Sequence, residues 1–290
     1  MVSPAYESCI LGRIDADDVV VGQGVLVEED VLITGKSGRA RRVVLGDFCF
    51  IGRGTRILVP EFRLGDYSKL HAHSFAHGEE PLQIGRNCWI GGGTVLDSMG
   101  GLSIDDNVGI GSQSQIWTHI RFGDIVEGCR FFQQKPMWIG KDAWFVGHCI
   151  VSPVAVGERS MALAGSVITR DMLANRVYGG VPATDVTDRI GGQFEERSIG
   201  QKAAKLQEII DAFTARHPEH AGMLLVATSP GEIRPGVCCF DVSRRVYTKT
   251  RSEAEVAFLK AHVPLVKFAP LGEPPFVEMP EDHDPETSNR

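Results

Sequence analysis

Residues 139–183 read IGKDAWFVGHCIVSPVAVGERSMALAGSVITRDMLANRVYGGVPA. Ile139, Phe145 and Val151 are bulky and apolar at a spacing of six, and the residue four after each is small: Ala143, Cys149, Ala155. After a one-residue deletion the pattern resumes at Val156 and Ala162, with Ser160 and Ser166 in the small positions. A period of six is neither the 3.6 of a helix nor the 2 of an ordinary strand. It fits a flat strand of about four residues and a tight corner, repeated about three times per turn of a β-helix.

Working back towards the N-terminus, the same hexads recur in sets of three. They are Val21, Val27, Ile33; Leu45, Ile51, Ile57; Leu64, Leu70, Ala76; Ile84, Ile90, Leu96; and Ile104, Ile110, Ile116. The pattern predicts about seven coils over residues 14–172. The large residue fills the centre of a triangular prism, the small one fits near its corner, and backbone groups pair with coils above and below at about 4.8 Å.

First and second hexads usually read aliphatic-Gly, as at Leu45-Gly46 and Ile51-Gly52, whereas third hexads do not. Insertions also leave only after a third hexad, at 37–44, 60–63, 80–83, 100–103 and 120–138. All loops are therefore expected along one edge, which in repeat scaffolds builds the binding face. On that edge His77, Asp97 and Trp117 each follow a third-hexad aliphatic residue, so they should stack as a column. His119 opens the longest loop. An imidazole there could take a proton from an attacking hydroxyl or ammonium; a solvated loop histidine is the ordinary alternative.

The series Ala164-Gly165-Ser166, Thr169-Arg170-Asp171 and Gly180-Val181-Pro182-Ala183, after Ile139-Gly140, resembles the closing coils of the hexapeptide-repeat acyltransferases. Maltose- and galactoside-type sugar acetyltransferases are the similar members. The resemblance covers about residues 14–190. It implies a left-handed parallel β-helix, a homotrimer with active sites between subunits, and acetyl-CoA or a related acyl-CoA as donor. By the same resemblance His119, ahead of a loop ending at Pro136, is the general base. Asp97 holds the acceptor, with His77 and Trp117 beside it. The coenzyme A side takes in Trp144, Gly147, Ala164, Gly165, Thr169 and Arg170, the guanidinium of Arg170 suiting phosphate. Two departures stand out. Gly91-Gly92-Gly93 replaces the family's substrate-binding asparagine before Leu-Asp, which points to a different acceptor. Thr184-Asp185 stands where relatives carry a basic residue, with Arg189 nearby as a substitute.

The run His71-Ala72-His73-Ser74-Phe75-Ala76-His77 raises a rival, since γ-class carbonic anhydrases use this fold with three histidine ligands. Their paired His-x4-His is missing here, so no metal is expected. A second rival is a non-catalytic trimeric scaffold that binds a partner.

Composition narrows the classes further. The charge is mildly acidic, 37 acids against 30 bases, with Lys and Arg unclustered, which argues against nucleic acid. No apolar run approaches a membrane span of about 20 residues, and the N-terminus lacks a secretory pattern. Seven cysteines form no metal spacing, and Cys49, Cys88 and Cys149 fall at small inward positions, so they read as packed thiols in a reduced, cytoplasmic protein. Beyond residue 190 the repeat stops, and a small α+β domain is expected over 191–269. Ser198…Gln201 opens a helix to about 216, Met223–Ala227, Gly236–Asp241 and Leu265–Phe268 read as strands, and Ser252…Glu255 opens a second helix to about His262. Residues 270–290, rich in Pro, Glu and Asp, are expected to be disordered.

Overall fold

The computed structural model describes residues 6–234 and 236–277. The chain divides near residue 194 into two compact units. The larger is a left-handed parallel β-helix whose three faces follow the three hexads. The first-hexad face is a six-stranded sheet, the second-hexad face a ten-stranded sheet and the third-hexad face an eight-stranded sheet. Isolated bridges at Val156 and Met172 carry the first face on to the last coils.

Each hexad residue is in register with its counterpart one coil away. On the third face Ile14, Ile33, Ile57, Ala76, Leu96, Ile116, Val151 and Ile168 form one continuous column. From Ile33 onward these side chains are fully buried, each contributing about 1.5–3 kcal/mol for the aliphatic ones. The small positions are small because they sit against the corner backbone. There Ser68 donates to the Gly85 carbonyl at 2.6 Å, Ser166 to that of Leu163 at 2.6 Å and Ser114 to that of Gly111 at 2.8 Å. The buried cysteines do the same work, as in the 3.0 Å contact of the Cys49 thiol with the Gly65 carbonyl.

Eight strands on the third face make eight coils, one more than the hexad count. The extra coil is the first, Cys9–Ile10, Arg13–Ile14 and Ala16–Val21. Ile10 pairs with Val27 and Ile14 with Ile33, but Ile10 and Ile14 are only four apart, so the period is hidden. The corner between them is cut short at Gly12, where a Cβ would lie 2.7 Å from that of Val31. The β-helix thus begins at residue 9 rather than 14. At the other end Val177–Gly180 adds to the second face and returns antiparallel as Ala183–Asp185.

Two of the three corners are tight and uniform, and each turns on a residue in the left-handed region, such as Tyr67 at φ 59° and His73 at φ 60°. The corner between third and first faces is the exception. It carries the loops 35–39, 59–60, 78–81, 98–101 and 117–136, so all insertions lie on one edge as the spacing predicts.

The second unit, described for residues 195–234 and 236–274 with Tyr6, holds two helices and a four-stranded sheet. Helix Ile199–Arg216 starts with a reciprocal capping box between Ser198 and Gln201, and buries Leu206, Ile210 and Phe213. Ser198 Oγ accepts from the Gln201 N–H, and Gln201 Oε1 accepts from the Ser198 N–H. Helix Glu253–His262 starts where expected, with Ser252 accepting from the Glu255 N–H. Strands Leu224–Ala227 and Cys238–Asp241 are parallel neighbours. The expected strand over 265–268 is not one. The pairing residues are Ala269–Pro270, beside the unforeseen Val246–Tyr247. Strands this short carry no readable alternation.

Disorder was expected from residue 270. Residues 270–277 are instead structured: Pro270 belongs to a strand, Val277 is buried, and Arg63 lies 5.0 Å from the centroid of the Phe276 ring. The remainder of that stretch, 278–290, lies outside the described residues. Among the described residues no helix is long and apolar enough to cross a membrane.

Candidate active site

The loop-bearing edge gathers the residues that the spacing singled out. His77 and Asp97 are paired in adjacent strands of the third face, and the Gln115–Ile116 strand brings Trp117 into the next coil of the same column. The Trp117 ring lies 6.4 Å from that of His77 and 6.2 Å from that of His119, edge-on to both.

His119 is fixed by two pieces of local structure. It begins a hairpin in which His119–Arg121 pairs antiparallel with Phe132–Gln134. Its Nδ1 then lies 2.9 Å from Oδ1 of Asp97. Asp97 is wholly buried, at 0% exposure. That same oxygen accepts the Thr118 N–H at 2.8 Å and the Thr118 hydroxyl at 2.6 Å. A carboxylate that can only accept fixes the imidazole tautomer: Nδ1 carries the hydrogen and donates it, and the Nε2 lone pair is left free.

Asp97 was expected to hold the acceptor; in the structure it has no exposed surface and its contacts are with Thr118 and His119. The other carboxylate oxygen, Oδ2, is buried with no hydrogen-bond partner. Nε2 of His77 lies 3.8 Å from it. His77 stacks on Phe75 with ring centroids 4.9 Å apart. Burial lowers its pKa below the usual histidine value; Asp97 opposes that, while His119 and Lys36 reinforce it. His77 is therefore a partly exposed imidazole whose surroundings favour the neutral form.

Three contributors escaped the sequence reading. Thr118 links the site to a neighbouring loop, accepting the Gly100 N–H at 2.9 Å while it donates to Asp97. Its only signal was a hydroxyl between two site residues. Lys36 arrives on a tight turn closed by a Gly35–Gly38 bridge, with its ammonium 3.0 Å from Glu79 and 3.6 Å from the Met99 sulfur. Gln134 donates to the Met99 carbonyl at 2.8 Å and ties the hairpin down beside His119. Neither Lys36 nor Gln134 stands at a repeat position.

The residues expected on the coenzyme A side are not all brought together. Thr169 follows Ile168 and so continues the column of Asp97 and Trp117 two coils further on, with Arg170 next to it; both are exposed. Gly147, Ala164 and Gly165 lie at the corner between second and third faces, where the Gly165 N–H donates to the Gly147 carbonyl at 2.9 Å. Trp144 is on the second face, its indole lying across Gly109, and does not share the face of His119. The outward periodicity is the same on every face, so spacing alone could not separate them.

The three clustered histidines diverge. His71 packs against Trp89 at 4.3 Å, His73 occupies a corner, and His77 joins Asp97. Among the described residues no group of three His, Cys, Asp or Glu could hold a metal ion.

No protein-family profile matches the chain. It is 32% identical over 178 residues to Bifunctional protein GlmU of Stenotrophomonas maltophilia (strain K279a), covering 53% of this chain and 36% of that one. It is 36% identical over 58 residues to Galactoside O-acetyltransferase of Escherichia coli (strain K12), covering 19% of this chain and 29% of that one. The chain thus spans about a third of the length of the curated relatives it matches. Among solved structures, the polysialic acid O-acetyltransferase OatWY is similar with a TM-score of 0.48 and 15% identity, covering 67% of this chain and 92% of that one. The resemblance to hexapeptide-repeat sugar acetyltransferases, read from the closing coils, is borne out.

Proposed function

We propose that the chain is an acyl-CoA-dependent acyltransferase, using acetyl-CoA or a related donor, that modifies a hydroxyl or amine of a sugar or nucleotide sugar. The observation that carries this reading is the 2.9 Å contact between buried Asp97 and His119. It gives a base whose Nε2 is free and whose conjugate acid is stabilised by a carboxylate held in place by Thr118.

In this mechanism the acceptor binds against His77 and Trp117 on the open side of the column. Nε2 of His119 removes the proton as the acceptor oxygen or nitrogen attacks the thioester carbonyl. Asp97 steadies the imidazolium that forms. When the tetrahedral intermediate collapses, the carbon–sulfur bond breaks and the proton passes from His119 to the departing thiolate, leaving the acylated acceptor and coenzyme A. Thr169 and Arg170, further along the same edge, suit the phosphates of the donor, with Gly147, Ala164 and Gly165 offering backbone at the next corner. The resemblance supports a homotrimer, and the seven free cysteines fit a reducing compartment such as the cytoplasm.

The test is an acceptor screen with acyl-CoA and detection of the free thiol, run beside a thermal shift with coenzyme A. At about 100 times its Kd, a ligand of the folded state should add about 2.7 kcal/mol. No thermal shift and no acceptor-dependent thiol release would leave a non-catalytic scaffold as the reading.

A further inference from the structure

Asp97 stands between two imidazoles. His77 comes from the coil before it and His119 from the coil after it. Oδ1 takes three donors: the Thr118 N–H, the Thr118 hydroxyl and Nδ1 of His119. Oδ2 takes none, although it is buried and lies 3.8 Å from Nε2 of His77. A buried carboxylate oxygen left without a donor is costly. The gap to His77 exceeds hydrogen-bond length by roughly 1 Å, and catalytic contacts that are long in an unliganded protein often tighten once a ligand binds. The His77 side chain is 23% exposed. It is held by stacking on Phe75 and by the edge of Trp117, contacts that carry no directional bond.

Resting on the acyltransferase reading above, we infer that His77 is a second imidazole tethered to Asp97, through Nε2, and that with His119 it selects an acceptor carrying two neighbouring donors: a diol or an amino alcohol rather than an isolated hydroxyl or amine. A carboxylate only accepts, so the hydrogen of His77 sits on Nε2, facing Oδ2. The opposite tautomer would set a lone pair against a buried anion. Burial, with His119 and Lys36, favours the neutral ring against the pull of Asp97, which leaves Nδ1 of His77 as a lone pair. His119 is tethered the other way round, by Nδ1, and presents Nε2. The open side therefore offers two acceptor nitrogens. The groups beside them add no free donor: the Trp117 indole N–H goes to Gln115 at 3.3 Å, the Thr118 hydroxyl to Asp97 and the Lys36 ammonium to Glu79. Nε2 of His119 takes the proton of the attacking group and later passes it to the thiolate. Nδ1 of His77 takes no part in that transfer; it accepts a hydrogen bond from a second O–H or N–H of the same ligand. A ligand with one donor would cover that nitrogen and leave it unpaired.

The tether is tested without any substrate. Ring-nitrogen spectra of the full chain carrying nitrogen-15 histidine, assigned with His77→Gln and His119→Gln, report both tautomers at about pH 7.5. His77 should be protonated at Nε2 alone and His119 at Nδ1; a His77 ring protonated at Nδ1, alone or together with Nε2, would overturn the inference. The ligand class is tested by kcat/KM for the acceptor that releases thiol in the screen and for analogues with each neighbouring hydroxyl or amino group replaced by hydrogen. One analogue should lose about two- to tenfold, the worth of one neutral hydrogen bond. His77→Leu should erase that difference, since no nitrogen remains to be filled. His77→Gln should keep it, because the amide can donate to Asp97 and accept from the ligand. Equal rates for every analogue in the wild type, or a difference untouched in folded His77→Leu, would overturn the inference. Should His77→Leu fail to fold, the wild-type analogue series and the nitrogen spectra decide it. No thiol release from any acceptor would count against the acyltransferase reading and take the ligand class with it, whereas release with equal analogues would remove only the second donor.

Discussion

Oδ1 of Asp97 and Nδ1 of His119 lie 2.9 Å apart, although the two residues are separated by 22 positions and sit in successive coils. The helix makes this contact possible through register. The third-face ladder puts residue 117 one coil beyond residue 97, and two further residues turn the hairpin strand back over the buried carboxylate. The contact gives a loop histidine a defined tautomer and a fixed orientation.

The first prediction follows directly. General-base catalysis contributes about 10² to 10⁴ in rate, so His119→Ala should lower kcat by that much while coenzyme A binds almost normally. His119→Asn should be nearly as damaging, since an amide can keep the hydrogen bond to Asp97 but cannot take the proton. If both variants kept more than about a tenth of wild-type kcat under rate-limiting chemistry, His119 would not be the base.

Asp97→Asn tests the positioning role. The amide oxygen can still accept from Thr118, so the fold should persist by circular dichroism, but the charged hydrogen bond to His119 is lost. Such bonds are worth about 1.5–3 kcal/mol, and kcat should fall about 10- to 150-fold with little change in acceptor KM. A rise in acceptor KM at constant kcat would instead restore the direct acceptor contact that burial of Asp97 speaks against.

Much of this architecture was legible because it is periodic. A hexad demands one apolar side chain every six residues, so the column from Ile33 to Ile168 and the single loop-bearing edge could be read before any coordinates. What escaped lies off the period. The first coil hides because Ile10 and Ile14 are four apart. Lys36 reaches the site from a turn four coils before His119, and no local pattern announces such a long-range contact. The roles of Asp97 and Trp144 depend on which way an outward position faces and how deeply it is covered; spacing fixes the coil and the face, never the burial. In the second unit, two capped helices were visible from Ser198 and Ser252, but strands of two residues leave no alternation to read.

Chelation tests the rival metal chemistry. Nδ1 of His119 is engaged with Asp97, His71 packs on Trp89, and His73 occupies a corner of the coil. Activity should survive prolonged treatment with a strong chelator. Elemental analysis showing about one metal per chain, with activity lost on its removal, would bring the carbonic-anhydrase-like reading forward.

Arg170 tests the donor end. It is exposed, beside Thr169 on the edge that carries His119. If its guanidinium meets a phosphate, Arg170→Ala should weaken coenzyme A binding by about 10- to 150-fold, the equivalent of a charged hydrogen bond at about 1.5–3 kcal/mol, and leave the melting temperature of the unliganded protein unchanged. An unaltered Kd by calorimetry would mean that the phosphates lie elsewhere, with Arg189 the next residue to test.

The last prediction concerns pH and stability away from the site. Asp105 stands where the first-hexad pattern usually places glycine, as at Gly46 and Gly85. Burial is the main cause that lifts its pKa from 3.8 to about 6; the neighbouring Asp106 and Glu158 add to the lift, while Lys141 and the Asp106 N–H, 2.6 Å away, oppose it. The sign follows from proton counting. Between about pH 4 and pH 6 the folded chain holds a proton on Asp105 that the unfolded chain has released, so this group's contribution to stability falls as pH rises through that window and stays low above it. Asp105→Asn keeps the carbonyl oxygen that accepts the Asp106 N–H and removes the charge. The variant should therefore be more stable than wild type at pH 7.5, by about 1–3 kcal/mol given 1.36 kcal/mol per pKa unit, and the gap should close below about pH 4. Denaturant melts of both proteins at pH 4, 6 and 7.5 give the comparison. A gap that is absent at pH 7.5, or one that widens in acid, would show that Asp105 is ionised in the folded protein at no cost, with Lys141 outweighing the burial.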